Sequence, residues 1–248
     1  MRNSLKLLIV VALGLLGYLH AQEVRAQFDI QFRVNYTDLY LFRGHVYDEE
    51  PGVQGDLLLG VGAWSYSVFH HPGYETEKLD EFVHALEYTT IGRGTVQTLG
   101  YRFYQYGFGR PDSQELFYRI RQRTAWNPTY GIAYDIDAYR GTYIDLNLSR
   151  AFPLTAKTDI GLTLKAGGSY GLEPKVTRSG EVIEAGFYEK DGLAHASVAV
   201  DFTRPMGKHL SLRASYEYHQ AFDDLLKEDP KTGKTNQNWQ VSLKLKTR

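Results

Sequence analysis

The 248-residue chain contains no cysteine. Disulfides, cysteine-ligated metals and a lipid anchor on an N-terminal cysteine are therefore all excluded. Net charge is also nearly absent: 28 basic and 29 acidic side chains leave −1, which gives no electrostatic footing for nucleic acid. No stretch past the N-terminus shows a helical hydrophobic period. No apolar run reaches the roughly 20 residues a helix needs to cross a membrane. LLIVVALGLLGY at 7–18, preceded by Arg2 and Lys6, has instead the make-up of a secretory signal peptide. Val24-Arg25-Ala26 supplies a small-residue cleavage site, with Leu19-His20-Ala21 as the alternative. The expected organisation is a signal peptide over 1–26, removed on export, and one domain over 27–248.

What the chain does have is aromatics, 14% with 19 tyrosines, and strict alternation. FDIQFRVNY sets Phe28, Ile30, Phe32, Val34 and Tyr36 against Asp29, Gln31, Arg33 and Asn35. ELFYRIRQRTAW sets Leu116, Tyr118 and Ile120 against Arg119, Arg121 and Arg123. Side chains in a strand alternate between two faces, so each segment has one greasy and one polar side. The pattern recurs along the chain and predicts about 12 strands, the first over 28–46 and the last over 238–247. Short turns fall around Gly62 and at 91–94, 126–129, 152–157 and 204–208. Alternating with them are connections that include longer ones at 71–78, 107–114, 171–191 and 221–237.

Alternation alone does not say which face is outside. Barrel diameter grows with strand number, and about eight strands already leave little beyond a filled interior. About twelve with the apolar stripe inward would enclose an empty greasy cavity. With the stripe outward, lipid covers it and the charged set lines a lumen. Short turns at one end and longer loops at the other fit the same arrangement. The fold expected is therefore all-β: a single up-and-down antiparallel transmembrane β-barrel in the outer membrane of a Gram-negative bacterium. Both termini would be periplasmic. Trp64, Trp126 and Trp239, with Tyr106, Tyr130, Tyr143, Tyr170 and Tyr218, fall near predicted strand ends, where aromatic girdles meet the membrane boundaries.

With the apolar stripe outward, the candidate pore lining is Arg33, Arg43, Arg102, Arg119, Arg121, Arg123, Asp135, Asp137, Asp145, Lys165, Asp201, Arg213, Glu217 and Lys244. Opposite charges on adjacent strands pair, so the arginines of 114–125 are expected to face Asp135 and Asp137. Arg43 should turn inward near the extracellular rim, toward Glu49, Glu50 or a folded-in loop. Opposed basic and acidic walls suit passive diffusion of small polar or charged solutes. The alternatives are a closed barrel with a structural or adhesive role and a membrane-embedded lipid hydrolase. For the last, His195 with Ser197 and His209 with Ser211 have the spacing of a base and nucleophile on one face, but that face is the lumen, so no enzyme is expected. His70 and His71 point to opposite faces and suggest no metal site. No cofactor is called for. The expected partners are outer-membrane lipid, small polar solutes and the barrel-assembly machinery.

TDLYLFRGHVYDEEPGVQGDL, from Thr37, resembles the start of the TorF-like putative porins, a family of bacterial outer-membrane barrels. Tyr40, Phe42, Arg43 and Gly44 match its Asp-Tyr-Val-Phe-Arg-Gly-like motif, followed by Pro51 and then Gly62-Ala63-Trp64-Ser65. Leu39 stands between Asp38 and Tyr40, where the family pattern has no residue. The resemblance implies a barrel and a porin role, and no particular substrate.

Overall fold

The structure is a computed structural model that describes residues 28–73, 80–107, 112–172, 175–176, 182–184, 187–228 and 233–247. The expected signal peptide, 1–26, lies outside the described residues, as do parts of four loops.

In chain order the strands are β1 (Phe28–Thr37), β2 (Tyr40–Phe42), β3 (His45–Asp48), β4 (Gly52–Val61), β5 (Trp64–His71), β6 (Glu81–Ile91), β7 (Thr95–Tyr106) and β8 (Ser113–Gln122). They continue as β9 (Thr129–Asp135), β10 (Thr142–Thr155), β11 (Thr158–Tyr170), β12 (Lys175–Val176), β13 (Val182–Glu184), β14 (Gly192–Pro205), β15 (Leu210–Ala221) and β16 (Thr235–Lys246). A single helical turn, α1 (Asp224–Glu228), precedes β16. Twelve strands form one closed antiparallel barrel, sealed where Val34 of β1 pairs with Leu243 of β16. The pairs β2–β3 and β12–β13 stand apart as small sheets.

The usual burial rule is inverted. Phe32, Leu57, Ile132, Val198, Phe202 and Leu243 are exposed on the outside, while Thr37, Gln54, Glu115, His219 and Asn238 are buried within. An apolar belt facing outward and a polar interior are what a barrel in lipid requires. Closure gives each of the twelve strands a partner on both sides, which is how a sheet satisfies its backbone groups in hydrocarbon. The turns at 62–63, 92–94, 123–128, 156–157 and 206–209 share one end with both termini of the barrel. Short turns mark the periplasmic end.

Several boundaries differ from the sequence reading. The first strand ends at Thr37 rather than 46, because the segment that continues its alternation turns back as the β2–β3 hairpin. The expected turn at 152–157 shrinks to 156–157, with Pro153 held at the rim beside a register shift. β16 starts at Thr235 rather than 238. β9 stops at Asp135 because that carboxylate accepts the backbone N–H groups of Asp137, Tyr139 and Arg140, turning the chain into a loop. Tyr106 and Tyr143 also depart from their expected girdle positions. Tyr106 stacks on Tyr104 at 6.0 Å, and buried Tyr143 lies beside Arg43 inside the barrel. Tyr130, Tyr170 and Tyr218 are exposed on the outside.

Candidate functional site: a plugged mouth and the lumen beneath it

The β2–β3 hairpin turns on Arg43 and Gly44, with φ of 51° and 93°. Two successive positive φ values make the tight two-residue turn that matches strand twist. An arginine in that region costs roughly 1–2 kcal/mol, so its surroundings must hold it there. Gly44 is needed twice over. Beyond its φ, a Cβ at that position would come within 2.9 Å of Leu226 Cδ1 and 3.0 Å of the His195 ring.

What holds Arg43 is a carboxylate on another wall. Its two terminal nitrogens grip the two oxygens of Glu115, one at 3.0 Å. Glu115 stands on β8, four strands round the ring from β4, so the hairpin reaches across the lumen rather than lying along its own wall. Glu115 also accepts a hydrogen bond from Tyr104 at 2.8 Å, and Arg102 approaches to 3.7 Å. The Arg43 guanidinium lies 4.3 Å over the Tyr143 ring, and its carbonyl accepts from the Tyr188 hydroxyl at 2.8 Å. A bidentate, buried pair of this kind is directional as well as strong.

The returning strand of the hairpin is tied to the near wall. His71 bridges Asp48 and Gln54, each at 3.2 Å, and Gln54 accepts from Asn35 at 2.9 Å. Tyr40 stacks on His71 at 4.5 Å. Above the hairpin, Leu172, Phe187, Tyr188 and Leu226 close a small hydrophobic cluster with Tyr143. Asp223 accepts the backbone N–H groups of Glu189, Lys190 and Leu225, and Lys190 reaches Asp224 at 2.7 Å. Hydrogen bonds from Lys190 and Lys227 hold the exposed Asp224 carboxyl down at about 2. The space left among Arg43, Tyr104, Glu115, Tyr143 and Phe187 is about 20 Å³, room for about one water.

Below the plug the lumen opens. A cavity of about 300 Å³ lies between the hairpin tip and the walls carrying Asp145, Lys165, His195, Glu217 and His219. A larger one, about 920 Å³, occupies the periplasmic half, lined by Asp29, Glu87, Arg119, Arg121 and Asp145 among others. Asp145 and Asn147 line both.

The charged residues singled out in the sequence divide into local groups. Arg33 pairs with Asp56 at 3.3 Å and faces Lys244 in the register. Arg213 pairs with Asp201 at 3.1 Å, and Lys165 with Glu217 at 2.8 Å. The arginine stripe is bounded by Phe117, whose ring has Arg102 at 3.9 Å and Arg119 at 5.5 Å. Arg119 and Arg121 face Gly131 and Thr129 on β9, not aspartates. Asp135 instead lies opposite Glu115 and accepts from Ser113. The expected ladder of arginines against Asp135 and Asp137 does not form, because the register sets the two charged sets at different heights. A different aspartate fills the gap: Asp145 reaches over Gly131, where a Cβ would sit 2.3 Å from its Oδ1. Arg123 lies past the end of β8, in the periplasmic turn, its N–H bonded to the carbonyl of Gly94. Asp137 lies in the loop after β9, accepting from Gln114 at 2.9 Å.

The histidine–serine pairs do not join. Ser197 donates to Glu217, while His195 bonds the Tyr143 hydroxyl at 2.9 Å. His209 bonds the carbonyl of Lys246. His70 and His71 do face apart: His70 meets Asp80 at 2.8 Å and His71 is enclosed with Asp48. Sequence reading missed Tyr143, His219 and Asn238 as lumen groups. The parity that placed Asp145 and Glu217 inward applies equally to Tyr143 and His219, two residues away on the same strands.

No protein-family model matches the sequence, and no curated protein sequence does either. By structure, the NanC porin superposes with a TM-score of 0.52 at 10% identity, over 87% of this chain and 98% of its own. An outer-membrane channel from Pseudomonas putida F1 superposes at 0.51 and 10% identity, over 91% and 97%. The fold is thus that of a porin-like barrel of the outer membrane. Likeness this distant in sequence speaks for architecture alone.

Proposed function

We propose that the protein is an outer-membrane channel for small polar solutes, held closed at its extracellular mouth by the β2–β3 hairpin. The carrying observation is the contrast between the two halves of one lumen. About 20 Å³ remains where Arg43 packs against Tyr104, Glu115 and Phe187, while about 300 Å³ lies beneath the hairpin tip and about 920 Å³ among charged walls below that. A barrel built only as a structural pillar has no need of an open lower half lined by Arg119, Arg121, Glu87 and Asp145. Opposed charges on such walls favour passage of polar and ionic solutes over apolar ones. The resemblance of Tyr40, Phe42, Arg43 and Gly44 to the TorF-like putative porin motif supports the same reading. It gives that motif a mechanical role: these residues form the turn that crosses the lumen. A permanently closed barrel is the second reading, favoured by the tight packing of Phe187, Tyr188 and Leu226 over the hairpin.

The two are separated by replacing residues 39–50 with a short turn and recording currents across planar bilayers. The expected result is sparse, small currents from the intact protein and stable, larger steps from the shortened one. Equal silence from both, with the barrel shown to be folded, would leave only the closed-barrel reading.

A further inference from the structure

The cavity directly under the hairpin contains two imidazoles whose hydrogen bonding is incomplete. His219, 2% exposed, has no partner for Nδ1 or Nε2 among the described residues, and His195, 7% exposed, has none for Nδ1. Their rings lie 5.1 Å apart, and both line the cavity of about 300 Å³. Burying a polar nitrogen without a partner is costly, so the wall is built to meet something that enters. The volume sits at the lower end of the range for small-molecule sites and holds about ten waters.

The chemistry of the walls narrows the occupant. Two basic and two acidic side chains line the cavity, Arg43 and Lys165 against Asp145 and Glu217. Lys165 bonds Glu217, Arg43 bonds Glu115, and Asp145 lies over Gly131, which faces Arg119 in the register. The other polar groups are neutral: the amides of Asn147, Asn238 and Gln240 and the hydroxyl of Ser197. The site therefore offers many hydrogen bonds and no net charge. A neutral imidazole presents one donor and one acceptor, in either tautomer. A hydroxyl is both donor and acceptor, so it pairs with whichever nitrogen it meets.

We infer that this cavity is a binding subsite for a neutral polyhydroxylated solute, a sugar of one or two rings, reached from the periplasmic half past Asp145 and Asn147 and capped by the hairpin. The inference rests on the channel reading, since it makes the bound sugar a solute in transit.

The test is titration calorimetry on the full-length protein in detergent with D-glucose, D-galactose and maltose, and with D-glucuronate as the charged counterpart. At least one neutral sugar should bind saturably, and more tightly than D-glucuronate. His219→Leu should weaken that binding at least about tenfold, the loss of one or two hydrogen bonds in a buried site. His219→Gln, which keeps a donor and an acceptor, should weaken it less. Retained heat-modifiable gel mobility shows that each variant is folded. Absence of binding by all three neutral sugars, unchanged affinity in folded His219→Leu, or tighter binding of D-glucuronate would each overturn the inference. The channel reading fails separately: it falls if no variant passes current, whatever the sugars do, and it survives if currents flow and no sugar binds.

Discussion

The ion pair between Arg43 and Glu115 ties the β2–β3 hairpin across the lumen. Removing one member of a buried pair leaves the other charged and unpaired, which costs about 3–5 kcal/mol in comparable sites. Arg43→Ala should release the hairpin and raise channel activity, read as open probability in planar bilayers. Arg43→Lys keeps the charge but not the two-pronged grip and should fall between Ala and wild type. Gly131 is a second sensitive point, since Asp145 occupies the space a Cβ would need. Gly131→Ala should destabilise the barrel by about 1–3 kcal/mol, the usual cost of overpacking. Urea-unfolding midpoints in lipid vesicles would show this, and an unchanged midpoint would mean that Asp145 moves aside freely.

Among the elements, the clasp between α1 and the loop before β14 has a defined pH response. The Asp224 carboxyl is held at about 2 in the folded protein by Lys190 and Lys227, against about 3.9 for a free aspartate. Its stabilising contribution is complete above pH about 4 and is lost as pH falls from there through about 2. Protease nicking of the loop should therefore be flat from pH 4 to 8. A rise in nicking between pH 5 and 7 would contradict the assignment. Most barrel strands were legible in the sequence, since the period of two is imposed by lipid on one side and water on the other. The hairpin was not. Tyr40, Phe42 and Val46 continue the even-numbered apolar stripe of β1, although they pack inside the barrel rather than against lipid. Only Gly44 after Arg43 signals the turn, and a lone glycine in a strand pattern reads as easily as a bulge. Asp135 departs from its expected place for a related reason: alternation extends to Asp137, but the Asp135 side chain captures three backbone N–H groups and ends the strand.

For the whole molecule, the barrel divides tolerance to charge by face. Leu164, outward near the middle of β11, should accept arginine only at a cost of about 2–4 kcal/mol in lipid. Thr163→Ser, one residue away on the lumen side, should cost little. Folding titrations into vesicles of defined composition compare the two, and equal costs would contradict the assignment of inside and outside. The same division placed Arg119 and Arg121 toward the lumen from sequence alone. Their partners could not be read that way, because register depends on where each turn falls. The central claim is that one lumen runs through the molecule and is shut by the hairpin at its outer end. Single-channel recording of wild type beside Arg43→Ala, in the same bilayer and salt, tests it most directly. The expected result is brief or rare openings in wild type and long-lived openings in Arg43→Ala. Indistinguishable traces from two folded proteins would contradict it.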